Sequence, residues 1–302
     1  MTGSDLKAPS RLAFVGLGAL GLPMAANLHR AGYHLQVHTR SRFSENDPSL
    51  HQGDPATATL CCASPADAVQ GCQALMLCVS DDAAVEAVLW GENGAGPALV
   101  EGSLVIDCST ISPSTSQRMA QRLAHQGVSY LDTPVTGGTE GAKAGTLTVL
   151  CGGSDADLDR AMPVLATIGG SIHHFGAVGS GQQVKAVNQV LVAGSYAAVA
   201  EAIALGQHLQ LPMQQVVDAL RNGAAGSWAL EHRSNAMLID HYPLGFKLAL
   251  HHKDLGIALH AAAEAGLDLP ITQAVQAQEQ TLMDAGLGDA DVSALRRHLP
   301  RV

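Results

Sequence analysis

The segment Val15-Gly16-Leu17-Gly18-Ala19-Leu20-Gly21 has the spacing G-x-G-x-x-G. It follows a short apolar run, LAFVG, and opens a helix-period segment, which is the context in which this pattern binds a dinucleotide. Gly16 permits the tight turn, Gly18 lets a pyrophosphate approach the backbone, and Gly21 lets the helix pack on the strand. The phosphates would then meet free N–H groups at a helix N-terminus. A plain glycine turn is the competing reading. The residues expected to contact a cofactor here are Gly16, Leu17, Gly18, Ala19, Leu20 and Gly21.

The next strand ends in VHTRS, where Thr39, Arg40 and Ser41 stand. An NAD-preferring site usually has Asp or Glu at this place, to hold the ribose 2′-hydroxyl. A carboxylate would repel a 2′-phosphate, whereas Arg40 would bind one and stack on adenine. The pattern therefore favours NADP(H) over NAD(H), with a solvated arginine at a strand end as the alternative.

A nicotinamide enzyme also needs a group that exchanges a proton with the substrate oxygen. The lysines are Lys7, Lys143, Lys185, Lys247 and Lys253, and none has Tyr four residues earlier, so the Y-x-x-x-K solution is absent. No Cys/His/Glu cluster with zinc spacing exists, so no metal is expected. The pairs His173–His174 and His251–His252 read as surface histidines. Lys185 stands out, because it opens a long apolar helix in QQVKAVNQVLVAG. Asn188 and Gln189 follow at i+3 and i+4 and share its face. Partial burial and the helix N-terminus both disfavour the charged amine, which moves its pKa toward the range useful for acid/base catalysis. A snorkelling surface lysine is the alternative.

Composition narrows the partners. The chain has 302 residues, 47% of them hydrophobic and 15% charged, against about 25% charged in an ordinary soluble domain. That excludes intrinsic disorder and suggests apolar surface hidden in an oligomer. The net charge of −10, without a Lys/Arg cluster, disfavours nucleic acid and anionic membranes. Cys61, Cys62, Cys72, Cys78, Cys108 and Cys151 form no C-x-x-C and read as reduced thiols of a cytoplasmic protein. The N-terminus has no signal-peptide core. The most apolar run, Val190–Gly206, is interrupted by Glu201 and reads as buried helix rather than a membrane span.

These residues need a scaffold. Strands are predicted at LAFVG, YHLQVHTR, ALMLCVS, SLVIDCS, SYLDTPV, LTVLCGG and SIHHFG, with helices between the early ones, for example near Pro65–Gln70 and Ala83–Leu89. Such alternation argues for a parallel sheet with crossover helices. After GAVGSG the chain becomes helical. A helix over about Gln182–His208 precedes others near Met213–Arg221, Ser227–Ile239, Leu248–Ala265 and Ile271–Ala285. The expected domains are residues 10–178, an α/β dinucleotide-binding unit, and 179–302, a helical unit for substrate and oligomer contacts.

Taken in order, four blocks resemble the β-hydroxyacid dehydrogenases: FVGLGALGLPMAANLHRAG, DTPVTGGTEGAKAGTLTVLCGG, GSGQQVKAVNQ, and FKLALHHKDLGIAL with GLGDADVSAL after it. The family includes 3-hydroxyisobutyrate dehydrogenase, tartronate semialdehyde reductase and, more distantly, 6-phosphogluconate dehydrogenase. The likeness runs from Leu12 to about Leu295. Leu20 replaces the family's usual Met, and Thr136 stands where Ser is common.

The resemblance implies an N-terminal Rossmann-like doubly wound sheet followed by an all-α domain on a long central helix, with the site in the cleft between them. It implies that Lys185 donates the proton in reduction and accepts it in oxidation. Thr136, Gly137 and Gly138 would hold the substrate carboxylate, and Asn188 would bond the substrate hydroxyl or orient Lys185. Gln189, where many relatives have a second Asn, is the less regular substrate contact. Lys253 would reach the cofactor, and Val79, Ser80, Ser109 and Thr110 would line its nicotinamide-ribose side, with Val79-Ser80 replacing a usual Leu-Pro. Phe246 and Trp228 would wall the pocket or else pack in the core; Phe246 is taken with the cofactor set. The implied reaction is hydride transfer between NADP(H) and a short anionic β-hydroxyacid/semialdehyde, tartronate semialdehyde (2-hydroxy-3-oxopropionate) being the nearest in pattern. The implied assembly is a homodimer or homotetramer through the helical domain. The alternatives are a serine- or threonine-type β-hydroxy amino acid dehydrogenase, an imine reductase, whose members typically lack the lysine, and a non-catalytic nucleotide reader, whose members carry extra segments and also lose it.

Overall fold

The structure is a computed structural model that describes residues 5–40 and 59–301. Ser41, one of the residues expected near the cofactor, lies outside the described residues. The chain divides into two compact units, Met1–Lys185 and Ala186–Val302.

The first unit begins with β1 (Arg11–Val15), α1 (Gly21–Arg30), β2 (His34–His38), β3 (Thr59–Cys61), α2 (Pro65–Ala68), β4 (Ala74–Leu77) and α3 (Asp82–Trp90). It continues with β5 (Leu104–Asp107), α4 (Pro113–Ala124), β6 (Ser129–Asp132), β7 (Val135–Thr136), α5 (Gly138–Ala144), β8 (Leu147–Cys151), α6 (Asp155–Ile168) and β9 (Gly169–His174). Six strands form one parallel sheet in the order β3-β2-β1-β4-β5-β6. The order reverses between β1 and β4, so the chain crosses over in opposite directions from there and leaves a crevice at the carboxyl ends of those strands.

The strands are short apolar runs because both sheet faces are covered. Leu12 and Phe14 of β1 join Met24, Leu28 and Leu35 in one core, whereas Ala13 and Val15 join Leu75, Leu77 and Val105 in another. Period-two alternation thus supplies two cores from one strand. Helix starts are set by local caps: Ser64, Asp81, Ser112 and Ser154 each accept an N–H of the following turn.

The predicted strand SYLDTPV is two strands. Pro134 has no N–H to give a ladder. At Thr133 the backbone turns its N–H to the Asp107 carbonyl at 2.7 Å, and Val135–Thr136 then pairs antiparallel with β8. β8 pairs parallel with β9, giving a separate three-stranded sheet, β7-β8-β9.

Helix α7 (Ser180–His208) carries the chain into the second unit, which holds α8 (Met213–Leu220), α9 (Trp228–Ile239), α10 (Leu248–Glu264), α11 (Pro270–Asp284) and a final 3-10 segment, Val292–His298. The core of this unit is built from Tyr196, Val199, Ala200 and Ile203 of α7 with Leu248, Leu255, Val275, Leu282 and Leu295. By length and composition α7 passes for a membrane span, with mean hydropathy 1.4, but 44% of that window is buried within the protein.

Candidate active site

The glycine turn sits at the sheet's switch point. Gly16 has φ +102°, a left-handed conformation that only glycine adopts readily, and a Cβ there would overlap the Cys78 carbonyl after β4. A Cβ on Gly21 would overlap the Gly16 carbonyl. The fold itself therefore requires both glycines. Gly18 differs, since no atom lies within 4 Å of where its Cβ would be. It is exposed, and the space above it is open to a bulky group. Helix α1 starts without a side-chain cap and without an acidic residue in its first turn. An anion can therefore use that helix end, so these residues fit a dinucleotide pyrophosphate. Leu17 and Leu20 pack against the core, whereas Ala19 is exposed.

Gly16 N–H donates to the His38 carbonyl at 2.9 Å. That bond sets the end of β2 beside the turn and brings Thr39, half-buried, and Arg40, exposed, next to it. At the ends of β4 and β5, Val79 N–H donates to Ser109 Oγ at 2.9 Å, and Ser80 Oγ donates to Asp81. Ser109 is buried, and its N–H donates to Asp107 Oδ1 at 2.9 Å. The hydroxyl of Ser109 is thus engaged in holding Val79 rather than facing outward. Thr110 follows it and is half-buried. Asp107 is fully buried and also accepts Tyr130 OH at 2.7 Å. Burial pushes its carboxyl up to about 6, against the opposing pull of the Ser109 and Tyr130 bonds.

The loop Thr136-Gly137-Gly138 leaves β7 and leads into α5, with Gly137 at φ +128° and Gly138 at +65°. Lys185 is brought to this loop from 50 residues away in sequence. Its Nζ donates to the Val135 carbonyl at 2.9 Å, and it is 7% exposed. Two residues that the sequence reading did not single out place it there. Asp132, at the end of β6, accepts Gly179 N–H at 2.7 Å and Gln182 N–H at 2.9 Å, capping α7. Burial raises the Asp132 carboxyl even so, and these backbone bonds oppose the rise. Gln182 donates through Nε2 to the Ser109 carbonyl at 2.8 Å and accepts Ile111 N–H at 3.2 Å. The first turns of α7 are therefore fixed to the ends of β5 and β6, which is why the division between units falls inside this helix.

In the second unit, Asn188 and Gln189 lie on α7 and Lys253 on α10. Gln189 Nε2 donates to Asp254 Oδ2 at 2.6 Å, Asn188 Nδ2 donates to Gln189 Oε1 at 2.7 Å, and Lys253 Nζ pairs with Asp254 Oδ1 at 2.8 Å. Asp254, also unanticipated, joins Gln189 to Lys253, with Asn188 attached through Gln189. Phe246 is half-buried and is held through its N–H by Asp291 Oδ2 at 2.9 Å. Asp291 also takes Gly245 N–H and the Ser293 backbone, so the second D in GLGDADVSAL is a loop anchor. Trp228 is not a core residue. It is 45% exposed, stacked on His232 at 4.6 Å with the Arg233 guanidinium over its ring.

One expectation is overturned: His251 is not on the surface. It is fully buried, with Nδ1 2.5 Å from Oε1 of the equally buried Glu279 and the Phe246 ring edge-on at 5.6 Å. Its position on α10 is three residues before Asp254, on the buried face. The partner lies 28 residues away, so no local spacing announced the pair.

Both parts of the chain match known protein families. Residues 11–176 match the family described as the NAD binding domain of 6-phosphogluconate dehydrogenase. Residues 179–299 match that described as NAD-binding of NADP-dependent 3-hydroxyisobutyrate dehydrogenase. The chain is 37% identical over 285 residues to the 2-hydroxy-3-oxopropionate reductase of Escherichia coli (strain K12), covering 94% of this chain and 95% of that one. Among solved structures it is similar to Mycobacterium tuberculosis 3-hydroxyisobutyrate dehydrogenase with L-serine, at TM-score 0.81 and 30% identity, covering 97% of this chain and 99% of that one. It is also similar to 3-hydroxyisobutyrate dehydrogenase from Salmonella typhimurium, at TM-score 0.86 and 28% identity, covering 96% of this chain and 100% of that one.

Proposed function

The chain belongs to the β-hydroxyacid dehydrogenase family and is an NAD(P)-dependent oxidoreductase, and from that premise we propose the division of labour among its residues. The substrate is a short β-hydroxyacid/semialdehyde, 2-hydroxy-3-oxopropionate being favoured by the likeness to the Escherichia coli reductase. Lys185 is the acid/base. In reduction its ammonium gives a proton to the carbonyl oxygen and is left as the neutral amine, which solvent reprotonates. In oxidation the neutral amine takes the hydroxyl proton. The bound nicotinamide supplies or accepts the hydride.

The observation that carries this reading is the Lys185–Val135 bond of 2.9 Å, which holds a nearly buried amine beside Thr136-Gly137-Gly138. A glycine turn with positive φ exposes backbone N–H groups without side-chain obstruction, which suits a carboxylate. The test is Lys185→Ala. Turnover of 2-hydroxy-3-oxopropionate should fall by about 10²–10⁴, the usual range for a general acid/base, while NADPH affinity is kept. Near-normal turnover would remove Lys185 from the mechanism.

The cofactor is NADP(H), supported by exposed Arg40 beside the turn and by the lack of a carboxylate at Thr39 or Arg40. The assembly is a homodimer or homotetramer through α7. Val187, Leu191, Leu205 and Leu209 are each at least 60% exposed at helical spacing, with Ala198 and Ala202 between them, forming an apolar stripe along that helix. The compartment is reducing, as in cytoplasm. All six cysteines are free thiols, and burial pushes those of Cys72, Cys78 and Cys151 up to about 12.

A further inference from the structure

Lys253, Asp254, Gln189 and Asn188 form a chain whose polarity is fixed from one end. A carboxylate only accepts hydrogen bonds. Asp254 is 3% exposed; its Oδ2 accepts Gln189 Nε2 at 2.6 Å, and Lys253 Nζ stands 2.8 Å from Oδ1 as an ion pair. Gln189, 1% exposed, must therefore turn its NH₂ to Asp254 and its carbonyl away. That carbonyl meets Asn188 at 2.7 Å, so Asn188 must donate through Nδ2. Flipping the Gln189 amide would set two acceptors against each other where water is excluded, and flipping that of Asn188 would set its Oδ1 against Gln189 Oε1. Asn188 is left with Oδ1, an acceptor, on a half-buried side chain on the same face of α7 as Lys185.

Gln189 was expected to touch substrate, yet both ends of its amide are engaged within the protein. An asparagine there would be one methylene shorter and would reach less far toward Asp254.

We propose that Gln189 is a positioning residue that locks the Asn188 amide as an acceptor, so that the site selects substrates with a hydrogen-bond donor at C2, a hydroxyl or an ammonium, over those with a methyl there. The proposal rests on the β-hydroxyacid/semialdehyde reading above. A C2 methyl facing Asn188 Oδ1 strips water from an acceptor and gives nothing back. Sites built to pair a polar group reject analogues that lack it more strongly than apolar pockets reject an extra group. With Asn188 half-buried, the preference should be about 10–100-fold.

Two readouts test it. The first is binding to the enzyme–NADP⁺ complex, by calorimetry, of three diacids that cannot react as semialdehydes: hydroxymalonate, aminomalonate and methylmalonate. The second is kcat/KM for 2-hydroxy-3-oxopropionate against 2-methyl-3-oxopropionate. Wild type should favour the donor-bearing member about tenfold or more in each, and the stronger of hydroxymalonate and aminomalonate identifies the donor. Gln189→Leu frees the Asn188 amide to turn and should shrink the ratio to below about threefold. A glutamine that merely supported the fold would lower both substrates together and leave the ratio unchanged, and that result overturns the proposal. So does a wild-type enzyme that binds methylmalonate as well as hydroxymalonate, which needs no variant to fold. Selective diacid binding without turnover of either semialdehyde would refute the reaction assigned above while sustaining the C2 selection.

Discussion

Lys185 Nζ donates to the carbonyl of Val135 at 2.9 Å, and Val135 is the residue immediately before Thr136. One hydrogen bond thus couples the proposed acid/base to the strand that runs into the proposed substrate loop. The coupling holds because Asp132 caps the same helix from the preceding strand, and Gln182 ties it to the Ser109–Ile111 segment after β5. A displacement of β7 or of the first turn of α7 would move the amine and the loop together. Acid/base geometry here is a property of the β6–β7 corner as much as of the lysine.

The three glycines of the cofactor turn should separate into two kinds. Gly16→Ala and Gly21→Ala place a Cβ against backbone carbonyls and should lower the thermal midpoint clearly, a strained position of this kind costing about 1–3 kcal/mol or more. Gly18→Ala meets no protein atom and should fold as wild type, yet weaken NADPH binding about tenfold or more, because close approach of the pyrophosphate is lost. Fluorescence titration with NADPH and thermal melts on all three variants distinguish these outcomes. A Gly18→Ala protein with unchanged affinity would place the pyrophosphate elsewhere.

Arg40→Ala should raise Kd for NADPH by about 10–100-fold and change that for NADH by less than about threefold. A charge-assisted contact to phosphate contributes about 1.5–3 kcal/mol, and NADH has no phosphate there. Equal losses for both cofactors would refute the assignment of the 2′-phosphate to Arg40.

Asp107 makes stability depend on pH in a direction opposite to a salt-bridged carboxylate. Its carboxyl stands at about 6 in the folded protein, above the ordinary 3.8, so the folded state binds the proton more tightly than the unfolded chain does. The stabilising contribution of the protonated form is fully present below about pH 4 and is lost as pH rises through about 6. Asp107→Asn keeps an acceptor for Ser109 and removes the titration. Stability of wild type minus that of Asp107→Asn should fall by up to about 3 kcal/mol between pH 4 and pH 7, following 1.36 kcal/mol per pKa unit. Urea midpoints at four pH values would show it, and a flat difference would mean that Asp107 is not perturbed.

His251 Nδ1 and Glu279 Oε1 pair where both side chains are fully buried, while His251 Nε2 and Glu279 Oε2 have no hydrogen-bond partner. His251→Leu should destabilise the protein by about 3–5 kcal/mol, since it leaves a buried carboxyl group without its partner. The double variant His251→Leu, Glu279→Leu should recover at least half of the loss, because two apolar side chains leave nothing unpaired. Additive losses in the thermal midpoint would show that the pair is not energetically coupled.

What the sequence determines by itself is what short-range spacing encodes. LAFVG before G-x-G-x-x-G marks the first strand, the turn and α1, because strand period, glycine conformation and helix start are all local. The long helix and the face shared by Lys185, Asn188 and Gln189 follow from helical geometry in the same way. The tertiary structure decides which buried polar groups hold these elements in place. Asp132 reaches Gly179 across 47 residues, Gln182 reaches Ser109 across 73, and Gln189 reaches Asp254 across 65. Each is a buried carboxylate or amide, and a single sequence shows only that such a residue needs a partner, never which one. His251 reads as surface because its neighbour His252 is polar and Glu279 lies on another helix. The run SYLDTPV reads as one strand because the break at Pro134 depends on where β8 lies, a long-range pairing that no local preference contains.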